Sequence, residues 1–212
     1  MKSISIGEAL RVGWKGFLDN WLVFVVMLII WPIVSICIWS FSPCAQVANS
    51  AAVTFSWSCL IFYIIGLFVN AFFYLGFVHA ALQVVKNGKA TFSNFWSEGT
   101  KILYFVIAQI IFSFIFSVGM FLLVFPAIIW GVKFSMYPYV IVDKKANGWN
   151  SLALSSKVTM GAKWDLLGFY MIEGLLLFTG VLVAGVGLLI TLPVVMIAHA
   201  HIYNQLIHQG GE

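Results

Sequence analysis

Charge is what this chain lacks. Only 8% of its 212 residues are Asp, Glu, Lys or Arg, while 62% are hydrophobic and the mean hydropathy is +1.03. A soluble domain carries about 25% charged residues to solvate its surface. So few charges cannot cover a water-facing globule, so the composition predicts an all-α, polytopic membrane protein. A pI of about 9.0 then reflects basic residues gathered on one membrane face. It does not point to nucleic acid as a partner. Strands of alternating polarity, which a membrane barrel needs, are also missing.

Enzyme signatures are missing too. There is no G-x-S-x-G, H-E-x-x-H or Walker A pattern, and Glu173 is the only acid in the apolar segments. The expectation is a non-enzymatic protein without cofactor or metal. Cysteine is scarce, with Cys37, Cys44 and Cys59 allowing at most one internal disulfide. A Cys44–Cys59 bridge is one reading, and three free thiols in or near apolar segments is the favoured one. The apolar run from Trp21 to Trp39 exceeds a signal-peptide core and follows an amphipathic stretch. It reads as a retained first span.

Six segments are long and apolar enough to cross a core of about 30 Å. They fall at roughly 20–40, 58–84, 102–118, 120–142, 165–184 and 187–207. Turns are expected at "FSVGM" and "VAGVG", where glycine permits a tight reversal. Apart from Lys133, every Lys and Arg then falls on the side of both termini and of loops 85–101 and 143–164. Loop 41–57 has none. The positive-inside rule predicts cytoplasmic termini.

The chain reads as three units, approximately 1–85, 86–142 and 143–212, each an amphipathic stretch followed by a hairpin of two spans. In "SISIGEALRVGWKGFLDNW", Ile6, Leu10, Gly13, Trp14 and Phe17 share one helical face. "ATFSNFWSEGTK" places Phe92, Phe95, Trp96 and Gly99 in similar register, and "NGWNSLALSSKVTMGAKW" opens the third unit. "VGMFLLVFPAIIWG" parallels "VGLLITLPVVMIAHA", with Pro126 and Pro193 in matching places. The amphipathic stretches either lie on the bilayer, where they would meet lipid head groups or a protein partner, or pack against their own bundle.

The run "FPAIIWGVKFSMYPYVIVDKKANGWNSLALSSKVTMGAKWDLLGFY" resembles a segment of the membrane domain of glycerophosphoryl diester phosphodiesterases and of the YciC-like bacterial membrane proteins. Ser155, Thr159, Gly161 and Trp164 fit a loop of the type Ala-Leu-x-x-Ser-x-x-x-Thr-x-Gly-x-x-Trp, with Ser151 where alanine is usual. The resemblance implies six helices and an inner-membrane location, and no activity.

The polar residues within the spans are Asn70, His79, Gln109, Lys133, Glu173, Thr179, Thr191, His199, His201 and Asn204. Lys133 lies about 15 Å from Asp143 along a straight helix, and Glu173 a similar depth from Trp164. Three readings compete: a structural Lys133–Glu173 pair that locks two spans; a proton or substrate site of a small transporter; and a Lys133 that snorkels, helped by a helix broken near Pro138. His199 and His201, two apart on a helix, point about 200° apart. That spacing does not chelate a metal. Membrane lipids are the expected partners, and oligomeric state is not set by the sequence.

Overall fold

The structure, a computed structural model, describes residues 4–43, 57–97, 99–122, 124–183 and 185–209. The described residues form helices α1 (Ile6–Ser40), α2 (Trp57–Asn87), α3 (Ser93–Trp96), α4 (Ile102–Leu122), α5 (Val124–Phe134), α6 (Tyr137–Lys144), α7 (Gly148–Val158), α8 (Lys163–Leu182) and α9 (Leu188–Gln209), with a 3₁₀ turn at Gly99–Lys101. Taking α3 with α4 and α5 with α6, six stretches are long and apolar enough to cross a membrane. Their outer faces carry large apolar side chains, including Phe121 at 92% exposed and Phe114 at 70%. Such a surface fits a multi-pass membrane protein, in which hydrocarbon and not water covers it.

The fourth and sixth spans form the centre. Half of each most apolar window is buried, against 17–33% in the other four. In α6 the six residues from Tyr137 to Val142 are all buried, as expected of a helix enclosed on every side. It packs against α2, α4 and α7, and Tyr139 donates its hydroxyl to the Met196 carbonyl of α9 at 3.2 Å.

The first amphipathic stretch is helical and is set off from the first span by a kink at Asn20, whose backbone is not helical (φ −131°, ψ 16°). The buried Asn20 side chain makes that corner. Its amide donates to Gly16 O at 2.9 Å and Gly88 O at 3.2 Å, and its oxygen accepts from the Ala90 N–H at 2.8 Å. The inward face of this stretch comprises Ala9, Gly13, Gly16 and Phe17; of the residues expected to share one face, Gly13 and Phe17 are buried, whereas Trp14 is half exposed, as are Leu18 and Trp21. The small inner stripe lets α1 press on α9: a Cβ at Gly13 would lie 2.5 Å from Val194 O. Close approach through small residues is how helices associate where hydrocarbon gives no hydrophobic drive.

The second amphipathic stretch shrinks to α3 and the 3₁₀ turn, with only Phe95 buried while Phe92 and Trp96 are exposed. The turn expected at "FSVGM" does not form, because α4 continues to Leu122. Gly119 is instead a contact, and its Cβ would meet Ala127 Cα of α5 at 2.9 Å. At "VAGVG" the reversal does occur, with Gly185 at φ +75°, a conformation that costs glycine little. Cys59 is in a disulfide, which corrects the expectation of three free thiols, and Cys37 is free. Cys44 lies outside the described residues, as does most of loop 41–57.

Candidate functional site

The site begins at the break in the fourth span. Helix α5 ends at Phe134, Ser135 and Met136 form a turn, and α6 restarts with Pro138 in its first turn. Proline is well placed there, since it has no N–H to leave unpaired. A break at this depth strands backbone groups that neither water nor lipid can satisfy. Helix α7 supplies the partners. Ser155 Oγ accepts from the Met136 N–H at 3.1 Å and donates to Lys133 O at 3.3 Å. Thr159 Oγ1 lies 3.0 Å from the same carbonyl, sharing its proton with Ser155 O at 3.0 Å. Ser151, Ser155 and Thr159 are fully buried. Their four-residue spacing makes one polar stripe turned into the bundle, with Trp149 outward at 65% exposed.

Above this break lies a cavity of about 1140 Å³. Helices α1, α2, α4 and α5 wall it, and Ser135, Tyr137, Leu167 and Tyr170 close its lower end. Ile36, Trp39, Tyr63 and Ile128 also line it and are between 42% and 68% exposed. The cavity therefore includes residues of the apolar outer surface in its lining. The lining is mainly apolar and aromatic, and no described residue in it carries a charge.

Two of the polar residues anticipated from sequence line this cavity and tie its walls. Asn70 Oδ1 accepts from Trp31 Nε1 at 2.8 Å, which joins α2 to α1. Gln109 accepts the Tyr137 hydroxyl and so joins α4 to α6. Ser35, Ser42 and Tyr170 also line it, and their buried hydroxyls make no hydrogen bond among the described residues. Ser135 lies beside Tyr170, but its hydroxyl donates to Val132 O at 2.9 Å.

The Lys133–Glu173 pair does not form. Lys133 Nζ sits 5.2 Å from the Phe134 ring, partly exposed, with no carboxylate within ion-pair distance among the described residues. Equal depth for the two residues requires a straight fourth span, and the break at Ser135–Met136 interrupts it. Glu173 Oε2 instead lies 3.5 Å from His199 Nε2. This contact lacks hydrogen-bond geometry, so the buried oxygen has no donor. His199 is held among Phe169, Tyr170 and Tyr139, with ring centroids at 4.8, 5.3 and 6.1 Å.

His201 is apart from this group, with Nε2 3.0 Å from Gln205 Nε2. His79 ties α2 to α3 and the residue after it, with Nδ1 3.0 Å from Asn94 O and 2.8 Å from Ser97 Oγ. Among the described residues no three His, Cys, Asp or Glu side chains come together as a metal site would require. At the basic end, Lys86 pairs with Asp143, which also accepts the Tyr203 hydroxyl at 3.1 Å.

Sequence reasoning passed over Asn20, Ser35, Tyr170 and the capping roles of Ser155 and Thr159. The i, i+4, i+8 spacing of Ser151, Ser155 and Thr159 was the one available signal for the last pair. No protein-family model, curated protein or solved structure matches this chain.

Proposed function

We propose that this chain is a non-enzymatic protein of a bacterial inner membrane that holds a membrane lipid in its cavity. It would thereby serve envelope or lipid homeostasis, alone or as an accessory subunit whose partner meets the amphipathic segments. The observation that carries this reading is the cavity itself: mainly apolar, uncharged, and lined in part by residues of the apolar outer surface. At about 1140 Å³ it exceeds the roughly 300–1,000 Å³ of ordinary small-molecule sites. The resemblance to the phosphodiesterase membrane domain and YciC-like proteins is part of the same proposal, as are three hairpins in repeat and cytoplasmic termini. The one-sided distribution of Lys and Arg supports that orientation. A disulfide at Cys59, at the end away from those charges, agrees with an oxidising compartment there.

A small transporter is the second reading, and Glu173 favours it. A buried carboxyl with a bare oxygen facing a histidine is what a proton-binding site in a membrane looks like. Cysteine accessibility separates the two. With Cys37→Ala removing the free thiol, Ser135→Cys at the cavity floor is treated in membranes with a charged, water-soluble thiol reagent and with an apolar maleimide. The lipid reading expects reaction with the apolar reagent alone. Rapid reaction with the charged reagent means water reaches the floor, and the transporter reading then replaces it.

A further inference from the structure

We propose that a cleft between the end of α6 and one face of α7 is a second site, which takes the phosphate of an anionic lipid head group. The proposal does not depend on what the cavity holds. Between Asp143 and Asp165 the sequence has four lysines and no acid. The fold gathers three of them. The chain leaves α6 through Lys145 in left-handed backbone (φ 52°, ψ 35°) and enters α7 from Asn147 in extended backbone. This reversal brings Lys144 and Lys145 to the α7 face that carries Asn147, Asn150, Leu154 and Lys157, spaced as one side of a helix. These residues line a cleft of about 490 Å³, within the size range of ordinary ligand sites. The buried Ser151, Ser155 and Thr159 belong to another side of α7, so capping the broken span leaves the cleft free.

The positive charge of this cleft is not spent inside the protein. Among the described residues no carboxylate comes within ion-pair distance of Lys144, Lys145 or Lys157. The two acids that bound the segment are engaged elsewhere. Asp143 pairs with Lys86 and accepts from Tyr203, and Asp165 accepts from the Ile4 N–H at 3.3 Å. Asn147 makes no side-chain bond to its own helix, so its amide can donate to an incoming oxygen. Three ammonium groups lining one concave surface suit a phosphate, whose several oxygens can be shared among point charges. The flank of the cleft favours a lipid as its source. Trp149 and Met160 on the outer side of α7, and Trp164 at the start of α8, are largely exposed. Large apolar and aromatic side chains at the end of a span lie at head-group depth, which makes bilayer phosphates the nearest anions. Because the lysines are exposed, this lipid exchanges with the bilayer and is lost on release from it, unlike one enclosed in the cavity.

The test measures lysine reactivity in the full chain, held in nanodiscs and treated with an uncharged acetylating ester. Peptide mass spectrometry follows every lysine at once. The discs contain phosphatidylcholine alone, phosphatidylcholine mixed with phosphatidylglycerol, or phosphatidylcholine with inorganic phosphate added to the buffer. In the phosphatidylglycerol discs Lys144, Lys145 and Lys157 should react about fivefold more slowly than in phosphatidylcholine alone. Lys89 and Lys163, exposed but outside the cleft, should change by less than about twofold. In the double variant Lys145→Gln, Lys157→Gln, Lys144 should lose most of its protection, because one ammonium group holds a phosphate poorly. Equal slowing of all these lysines would mean a diffuse surface field and would overturn the site. Inorganic phosphate protecting as well as phosphatidylglycerol would assign the cleft to a soluble anion and overturn the lipid source. No slowing in either condition overturns the proposal outright. The unmutated chain alone decides among these outcomes, whether or not the variant folds well.

Discussion

Replacing Ser155 and Thr159 tests whether the broken fourth span depends on α7. Ser155→Ala leaves the buried Met136 N–H without its acceptor at 3.1 Å, a loss of about 1–3 kcal/mol. Lys133 O still has Thr159 at 3.0 Å, so its own penalty is withheld. Thr159→Val keeps the side-chain shape and leaves Lys133 O with Ser155 at 3.3 Å; its expected cost is about 1 kcal/mol. In the double variant the carbonyl loses both donors. The cost should then exceed the sum of the singles by about 1 kcal/mol or more. Stability is read by reversible SDS titration in mixed micelles, with Ser156→Ala as a control expected to stay within about 0.5 kcal/mol. Singles no worse than the control, with an additive double, would refute the capping argument. They would mean that the break is satisfied in some other way.

Other consequences can be checked in the same assay. Asn20→Ala removes three hydrogen bonds at the α1 corner and should cost roughly 2–4 kcal/mol, and Asn20→Asp, which keeps the Ala90 bond but sets a buried carboxylate oxygen against the Gly16 and Gly88 carbonyls, should be no milder. Gly13→Leu drives a side chain into Val194 O; about 1–3 kcal/mol or more is expected from forced separation of α1 and α9. A double-mutant cycle of Lys133→Met with Glu173→Gln should show coupling below about 0.5 kcal/mol, while Glu173→Gln with His199→Phe should couple clearly. Lys86→Met should cost under about 1 kcal/mol, because the Lys86 side chain is 43% exposed and such pairs contribute little.

The number and class of spans were legible because hydrocarbon imposes one strong rule, about 20 apolar residues per crossing. Finer features were legible only where a residue has one physical use. Gly185 turned the chain where a turn was expected, and Pro138 marked the neighbourhood of the helix break. Gly119 misled because glycine serves close contact as well as reversal, and here Ala127 claims it. Trp14 shows what the helical face alone left open, whether its large apolar residues meet the bundle or the bilayer; Trp14 is half exposed. In a bilayer the large apolar side can face lipid and the small side the neighbouring helix. Lys133 and Glu173 were matched by counting depth along unbroken helices. Register across spans depends on packing, which pattern alone does not encode. The cavity had no sequence signature at all, since its hydroxyls come from helices far apart in the chain.

Lipid occupancy tests the central claim most directly. Gly66 lines the cavity, and a Cβ placed there meets nothing within 4 Å, so Gly66→Phe introduces a bulky side chain at the lining from a position where its first atom has room. Native mass spectrometry of the protein released from nanodiscs should find about one retained lipid per unmutated chain and none in Gly66→Phe of equal SDS stability. Equal retention by the two proteins, or none by either, would contradict a lipid held in this cavity.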